Sequence, residues 1–242
     1  MMPAFKAWVA RQRFLPQRCG VWVNRDFIMR RGLMIEVRAR CEKFRGRVLD
    51  FGCGEKPYHS LFKDCQLIGA DTAQGGHEAS RKHADVWIEE GRLPLPDADL
   101  DGALCTEVVQ YLPDPDQCFA ELARVLKPGA PLLITHPFAH EETEIPHDLC
   151  HYTAQGLRAI LERCGFRIEE CVTFPSYLES LTQLLALWLS RTVLPWKHPL
   201  ARLLSTALVL APLQILGIAI SRILPGPKSL YLSVVILARR NP

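Results

Sequence analysis

From residue 48 onward, short apolar runs alternate with stretches of helical periodicity. VLDFG (48–52), QLIGAD (66–71), ADVWI (84–88), DGALC (101–105) and PLLITH (131–136) have the length and composition of strands. FRIEECVTF (166–174) and SLYLSVVILA (229–238) supply a sixth and a seventh. Residues 115–127 read as a helix, with Asp114 to cap it, Pro115 in its first turn and Lys127-Pro128-Gly129 to end it. A further helix over 153–164 has Thr153 as its cap and Gly165 as its stop. Strands alternating with helices predict a doubly wound, mostly parallel seven-stranded sheet of the α/β class. Ligands of such sheets bind outside the carboxyl ends of the strands, so residues there are the candidates for chemistry.

The pattern changes on both sides of this core. Residues 203–221 form 19 uncharged positions between Arg202 and Arg222, long enough to span a bilayer but interrupted by Pro212 and Gln214. If the strands at 166–174 and 229–238 share one sheet, the chain between them must leave and return on the same side. The sixth strand, expected to be parallel, sends that insertion out from the carboxyl-end face, beside the site. A single crossing is then impossible, and a second would have to use 180–195, where Arg191 interrupts. Residues 178–194 instead read as amphipathic, with Leu178, Leu181, Leu184, Leu185 and Trp188 on one face and Glu179, Ser180, Gln183, Ser190 and Arg191 on the other. Followed by Trp196, Lys197 and Arg202, they predict a helical hairpin lying in a membrane interface. The alternative is a set of buried helices that closes a dimer or caps the core. The N-terminal stretch mixes Phe5, Trp8 and Trp22 with Lys6, Arg11, Arg13 and Arg18, again an interfacial composition. The chain is thus partitioned into a basic helical extension (1–47), a core (48–174), an apolar insertion (175–226) and a final strand segment (227–242).

Composition sharpens this partition. The 242 residues are 48% hydrophobic and 23% charged, an ordinary balance that excludes a disordered, collagen-like or many-span membrane chain. The formal net charge of +3 hides a segregation: +9 over residues 1–47, −12 over 48–174 and +6 over 175–242. Nine scattered cysteines with no C-x-x-C pair lack zinc-site spacing and fit reduced thiols in the cytosol, most of them serving as small core hydrophobes. The N-terminus has no apolar stretch of secretory type. The expected location is therefore cytoplasmic, peripheral on the inner face of the membrane.

The first strand runs directly into Asp50-Phe51-Gly52-Cys53-Gly54. Two glycines allow a tight turn and a close approach of backbone to ligand. A dinucleotide fingerprint would need another glycine where Pro57 stands, which disfavours a pyrophosphate. Asp71, ending the second strand, can accept both hydroxyls of a ribose. A ribose-bearing ligand with positive charge and no phosphate suits this pair of carboxylates, and S-adenosylmethionine has that chemistry.

The blocks VLDFGCGEKPYHSLF, LIGAD and LPLPDADLDGALCTEVVQYLPDPDQCFAELARVLKPGAPLLITHPF resemble the class I S-adenosylmethionine-dependent methyltransferases. The likeness is greatest to the large bacterial group typed as methyltransferase type 11 and covers residues 48–174. It implies a Rossmann-like methyltransferase fold and a S-adenosylmethionine co-substrate without a metal. It further implies that Asp50, Gly52, Cys53 and Gly54 hold the methionine part and Asp71 the ribose. Glu89, with Glu90 beside it, takes the place of an acidic contact to the adenine. Thr106, Glu107 and Val108 fall where the fourth strand meets the cofactor. Tyr111 stands where the group often has His, and Ala130 replaces the second residue of a Gly-Gly pair.

Methyl transfer to a hydroxyl needs a proton acceptor, whereas an ionised carbon, thiol or amine need not have one. The fifth strand ends at His136, and PFAHEETEIPHDLCHY follows, so four of the chain's eight histidines lie within sixteen residues. His147 with Asp148 beside it is the first candidate for the base and His136 the second; a hydrated loop with ordinary hydrogen bonds is the alternative. Pro146-His147-Asp148 followed by Tyr152-Thr153 resembles a pattern in methyltransferases of cell-envelope sugars and lipids, with His151 in place of the usual Arg. The end of the fourth strand lacks the Asn/Asp-Pro-Pro-aromatic run of amino-methylating nucleic-acid enzymes, so no nucleic-acid partner is expected. The expected function is methylation of a small or lipid-linked acceptor, at oxygen, at a membrane surface. A catalytically inactive S-adenosylmethionine-binding module is the alternative, and the oligomeric state is left open.

Overall fold

Continuous apolar runs become central strands because both of their faces are covered. In the computed structural model, which describes residues 3–73, 82–194 and 198–242, the first such run is β1 (Gly46–Phe51), buried from Val48 to Phe51. β5 (Pro131–Pro137) is buried at every position. With β2 (Cys65–Thr72), β3 (Val86–Ile88), β4 (Gly102–Thr106), β6 (Phe166–Phe174) and β7 (Ser233–Arg240) they form one sheet of order β3-β2-β1-β4-β5-β7-β6. β1 pairs in parallel with β2 and β4, β2 with β3, and β4 with β5; β7 runs antiparallel to β5. The expected seven-stranded, mostly parallel α/β sheet is therefore formed. The chain moves outward from β1 through β3 and resumes with β4 on the other side of β1, so the order reverses between β1 and β4. Such a reversal opens a crevice at the carboxyl ends of the strands.

The helix punctuation works as its residues dictate. The Asp114 carboxylate accepts from the Gln117 amide at 3.0 Å and starts α3 (Pro115–Val125), which buries Cys118, Phe119, Leu122 and Val125. Thr153 Oγ1 accepts from the Gly156 amide at 3.0 Å and starts α4 (Ala154–Arg163), which buries Leu157, Ile160 and Leu161. Each cap satisfies an amide that the first helical turn leaves unbonded. The last strand begins at Ser233, four residues later than its apolar run predicts, because the Leu232 amide donates to the Phe174 carbonyl ahead of the β5–β7 ladder. Apolar character marks burial, whereas the ladder begins where pairing begins. The cysteines are free; Cys53, Cys105 and Cys118 are buried, but the other six are partly or fully exposed, so fewer serve the core than expected.

The chain divides into two compact units, Met1–Ile35 with Phe174–Leu232, and Glu36–Thr173 with Ser233–Pro242. The expected partition differs from this: most of the N-terminal flank folds with the apolar insertion, while residues 36–47 and the last strand fold with the core. The elements of the first unit are α1 (Pro3–Gln12), the first part of α2 (Phe27–Arg40), α5 (Tyr177–Trp188), α6 (Pro199–Ser205) and α7 (Ala211–Ile223). α6 and α7 are joined by a π-helical turn into one continuous helix, Pro199–Ile223. Gln214 is fully buried; its Oε1 accepts from the Ile28 amide at 3.2 Å and its Nε2 donates to the Asn24 carbonyl at 3.4 Å. Gln183 Nε2 donates to the Arg25 carbonyl at 3.0 Å. Two glutamines that interrupt the apolar pattern are thus what ties the two flanks together. Trp196 and Lys197 lie outside the described residues.

Candidate active site

The turn after β1 is built for glycine. Gly52 has φ +68°, and a Cβ there would lie 2.4 Å from the Val108 side chain. The amides of Gly52 and Cys53 both donate to the Ala70 carbonyl, at 2.8 and 3.1 Å, which folds the turn back against β2. Gly54 has φ +46° and its amide donates to Asp71 Oδ2 at 2.9 Å. A Cβ built on Gly54 meets no protein atom within 4 Å, so this backbone lines a cradle.

Two carboxylates face that turn. Asp71, buried at the end of β2, also accepts from the Thr72 amide at 2.7 Å and pairs with Lys82 Nζ at 3.2 Å. Burial pushes the Asp50 carboxyl up to about 7; Lys56 opposes the shift and Asp71 adds to it. Burial, reinforced by Asp50 and Asp71, pushes the Cys53 thiol up to about 12 and leaves it a neutral wall of the turn. Two buried carboxyls beside an open backbone cradle fit S-adenosylmethionine, and Asp50, Gly52, Gly54 and Asp71 are the residues that would hold it.

The other expected contacts are less enclosed. Glu89 follows β3 in a tight exchange with Arg92, amide to carbonyl in both directions, and is exposed; Glu90, at φ +50°, is exposed too. Thr106 pairs with Thr135 in the β4–β5 register. Glu107 follows it at φ +58°, its amide donating to the Thr135 carbonyl at 3.0 Å. Glu107 Oε1 accepts from Thr135 Oγ1 at 2.9 Å and from Ser233 Oγ at 3.5 Å.

A second cluster stands over the carboxyl ends of β4 and β5. Asp148 Oδ2 accepts from the Thr143 amide at 2.8 Å, and Tyr111 Oη hydrogen-bonds Thr143 Oγ1 at 2.8 Å. Asp148 Oδ1 lies 3.1 Å from His151 Nε2, and His151 Nδ1 lies 3.1 Å from the Phe138 carbonyl. The Leu149 amide donates to the Gln110 carbonyl at 2.8 Å, and Gln110 Nε2 donates to the Glu107 carbonyl at 2.9 Å, which anchors this loop to the segment after β4.

Asp148 is therefore paired with His151, not with its neighbour His147. His147 is exposed, and only its amide is engaged, donating to the Glu144 carbonyl at 2.9 Å. Adjacent residues of an irregular loop direct their side chains differently, so adjacency along the chain does not make a pair. His136 is fully buried, and its Nε2 accepts from the Tyr152 amide at 2.7 Å. Burial pulls its pKa down to about 3, with the neighbouring His151 acting in the same direction. A lone pair already committed to a backbone amide makes His136 a structural post for the loop.

Comparison with known proteins agrees with this geometry. A family model described as a methyltransferase domain matches residues 49–134. An O-methyltransferase of Pyrenophora dematioidea is 26% identical over 173 residues, 62% of this chain and 65% of the relative. A Mycolicibacterium smegmatis protein with the name "probable S-adenosylmethionine-dependent methyltransferase" is 33% identical over 136 residues, 51% of this chain and 52% of the relative. The chain thus spans between half and two thirds of the length of these two relatives. Residues 49–134 thus match a methyltransferase domain. The crystal structure of the [4+2]-cyclase SpnF shares the fold, with TM-score 0.55 and 20% identity over 88% of this chain and 81% of that one.

Within this methyltransferase domain, the glycine turn and Asp71 fall where the sequence placed them. The Tyr111–Thr143–Asp148–His151 chain was not foreseen. Its residues are spread over 40 positions in two loops, and only the density of histidines after β5 pointed towards it.

Proposed function

We propose that the chain transfers a methyl group from S-adenosylmethionine to an oxygen of a small or lipid-linked acceptor, at the cytoplasmic face of a membrane. The observation that carries the reaction is the Asp148–His151 pair over the carboxyl ends of β4 and β5, the side of the sheet on which the glycine turn and Asp71 also lie. When bound, S-adenosylmethionine supplies a methyl group on a sulfonium, a good leaving group. Alignment and exclusion of water are then the protein's main tasks. A hydroxyl acceptor forms its new bond to carbon as the carbon–sulfur bond breaks, and its proton must go to a base. With neutral His151 protonated on Nδ1 towards the Phe138 carbonyl, no proton lies between Nε2 and Asp148 Oδ1; the pair takes up the hydroxyl proton, which ends between those two atoms. Tyr111 and Thr143 hold Asp148 from behind.

The relatives named as methyltransferases support this reading. The free cysteines and the basic, apolar-surfaced unit support the location. The test is acceptor-dependent formation of S-adenosylhomocysteine in lipid and envelope extracts, read by mass spectrometry as a gain of one methylene on a lipid or sugar. His151→Ala should abolish that gain without weakening cofactor binding. Cofactor binding with no methylated product from any extract would overturn the enzyme reading.

A further inference from the structure

Two helices of the Met1–Ile35 and Phe174–Leu232 unit, α5 and Pro199–Ile223, turn polar side chains inward and leucines outward. In water a packed helix turns its apolar stripe inward and its polar face outward. In α5 the buried side carries Ser180, Thr182 and Gln183 beside Ala186 and Leu187, while Leu181, Leu185 and Trp188 are exposed. In Pro199–Ile223 the buried side carries Ser205, Thr206 and Gln214 beside Leu210, Ala211 and Gly217, while Leu200, Leu204, Leu208 and Leu216 are exposed, Leu208 at 73%.

Most of the inward polar groups on these two helices find partners within the unit, Gln183 Oε1 being the exception. Thr182 Oγ1 donates to the Leu178 carbonyl at 2.8 Å, Thr206 Oγ1 and Ser205 Oγ donate to the Arg202 carbonyl at 2.9 Å each, and both glutamines bond the N-terminal backbone. Gly217 lets α7 meet Thr182 so closely that a Cβ there would lie 2.3 Å from its Oγ1. Mainly small and polar residues within and leucines without is the arrangement of helices whose surroundings are hydrocarbon.

Two further observations select a bilayer surface. Among the described residues, fifteen of the eighteen exposed large apolar side chains belong to this unit. The same unit carries 12 Lys/Arg against 2 Asp/Glu, a net charge of +10, whereas the other unit carries −7. An apolar face within a strongly basic unit complements an anionic membrane.

Pro199–Ile223 is long and apolar enough to cross, and is the one such helix among the described residues. But β6 and β7 are neighbours in one sheet, so the chain between them must come back to the side it left. One helix cannot do that by spanning.

We infer that this unit is a monotopic anchor, seating the Leu200–Leu204–Leu208 face of the Pro199–Ile223 helix and the Leu181–Leu185–Trp188 face of α5 in one leaflet of an anionic bilayer. The anchor gives the proposed lipid-linked acceptor its source and rests on that reading for its purpose alone. Flotation of the full chain tests it, with phosphatidylglycerol–phosphatidylcholine vesicles against phosphatidylcholine alone, and with cofactor binding measured in parallel. The chain should float with anionic vesicles and lose about tenfold in the bound-to-free ratio on neutral ones or in high salt. Leu204→Gln with Leu208→Gln alters two exposed positions and should cost about tenfold or more in vesicle binding, leaving cofactor affinity unchanged.

Absence of flotation with cofactor binding intact would overturn the anchor and leave the methyltransferase reading standing. Flotation with no methylated product would do the reverse. A dimer in vesicle-free solution that the double substitution converts to monomer, with no flotation, would assign the face to a second copy and overturn the anchor.

Discussion

The amide of Gly54 donates to Oδ2 of Asp71 at 2.9 Å, and this bond locks the turn after β1 to the end of β2. The carboxylate expected to hold the ribose is thus set by the same backbone that makes the cradle for the rest of the cofactor. The two glycines of the turn serve different ends, which two substitutions separate. Gly52→Ala meets both a left-handed φ and the Val108 side chain at 2.4 Å, so it should destabilise the fold by about 2–4 kcal/mol. Gly54→Ala meets only the conformational penalty, about 1–2 kcal/mol, because nothing in the protein lies within 4 Å of its Cβ. Its methyl group instead enters the cradle, so cofactor affinity should fall at least about tenfold in a protein that still folds. Urea denaturation and titration calorimetry on the two variants check this; equal behaviour of the pair would contradict it.

Much of this site was legible because the need for it is local. A left-handed turn demands glycine, and a carboxylate at a strand end follows from the strand itself, so Asp50, Gly52, Gly54 and Asp71 are readable from short stretches. The Asp148–His151 pair is not, because an irregular loop has no period to say which side chains converge. The helical insertion was half legible. Periodicity separates Leu181 and Leu185 from Ser180 and Gln183, but it does not say which face turns inward. Only long-range partners decide that, and Gln214 bonds Ile28 across 186 residues of chain.

Asp50 should make cofactor binding depend on pH. Its carboxyl is raised from 3.8 to about 7 by burial, so the neutral form is held in the folded protein until the pH passes about 7. That burial favours the fold fully below the unfolded value, and the advantage fades as pH rises through about 7. A cationic ligand reverses the preference by favouring the carboxylate, so binding releases a proton at or below neutral pH. Affinity for S-adenosylmethionine should rise about tenfold between about pH 6 and 8, with proton release visible as a buffer-dependent heat. Asp50→Asn should flatten the profile.

His136 should make stability fall on the acid side. Its folded pKa of about 3 lies below the unfolded value of 6.5, so the unfolded chain binds a proton that the folded chain refuses. Stability is therefore full above about 6.5 and declines as pH falls towards 3. One unit below the unfolded value the loss is about 1.4 kcal/mol, less whatever local relaxation recovers. His136→Gln keeps an acceptor for the Tyr152 amide without a titratable ring, and so should lower stability at neutral pH but remove the decline between about pH 7 and 5.5. Denaturant midpoints across that interval measure the difference.

The histidine loop gives the sharpest distinction between the pairing in the fold and adjacency in the sequence. His147 precedes Asp148 in the chain, yet it is exposed, whereas the two ring nitrogens of His151 lie 3.1 Å from Asp148 and from the Phe138 carbonyl. If the pair moves the acceptor's proton, His151→Ala should lower turnover on a hydroxyl acceptor by about a hundredfold to ten-thousandfold, the usual scale of general-base catalysis. S-adenosylmethionine affinity should stay within about twofold, because the residues proposed to hold the cofactor lie on β1, on β2 and in the turn after β1. His147→Ala should leave both quantities within about twofold of the parent, since the residue is exposed and its ring makes no hydrogen bond among the described residues. Asp148→Asn should fall between them, since it keeps a carbonyl towards Thr143 or His151 but removes the charge that stabilises the protonated ring. Single-turnover assays with saturating cofactor isolate the chemical step. A large loss at His147 with none at His151 would mean that the loop rearranges when the acceptor binds and that the exposed ring, not the paired one, takes the proton.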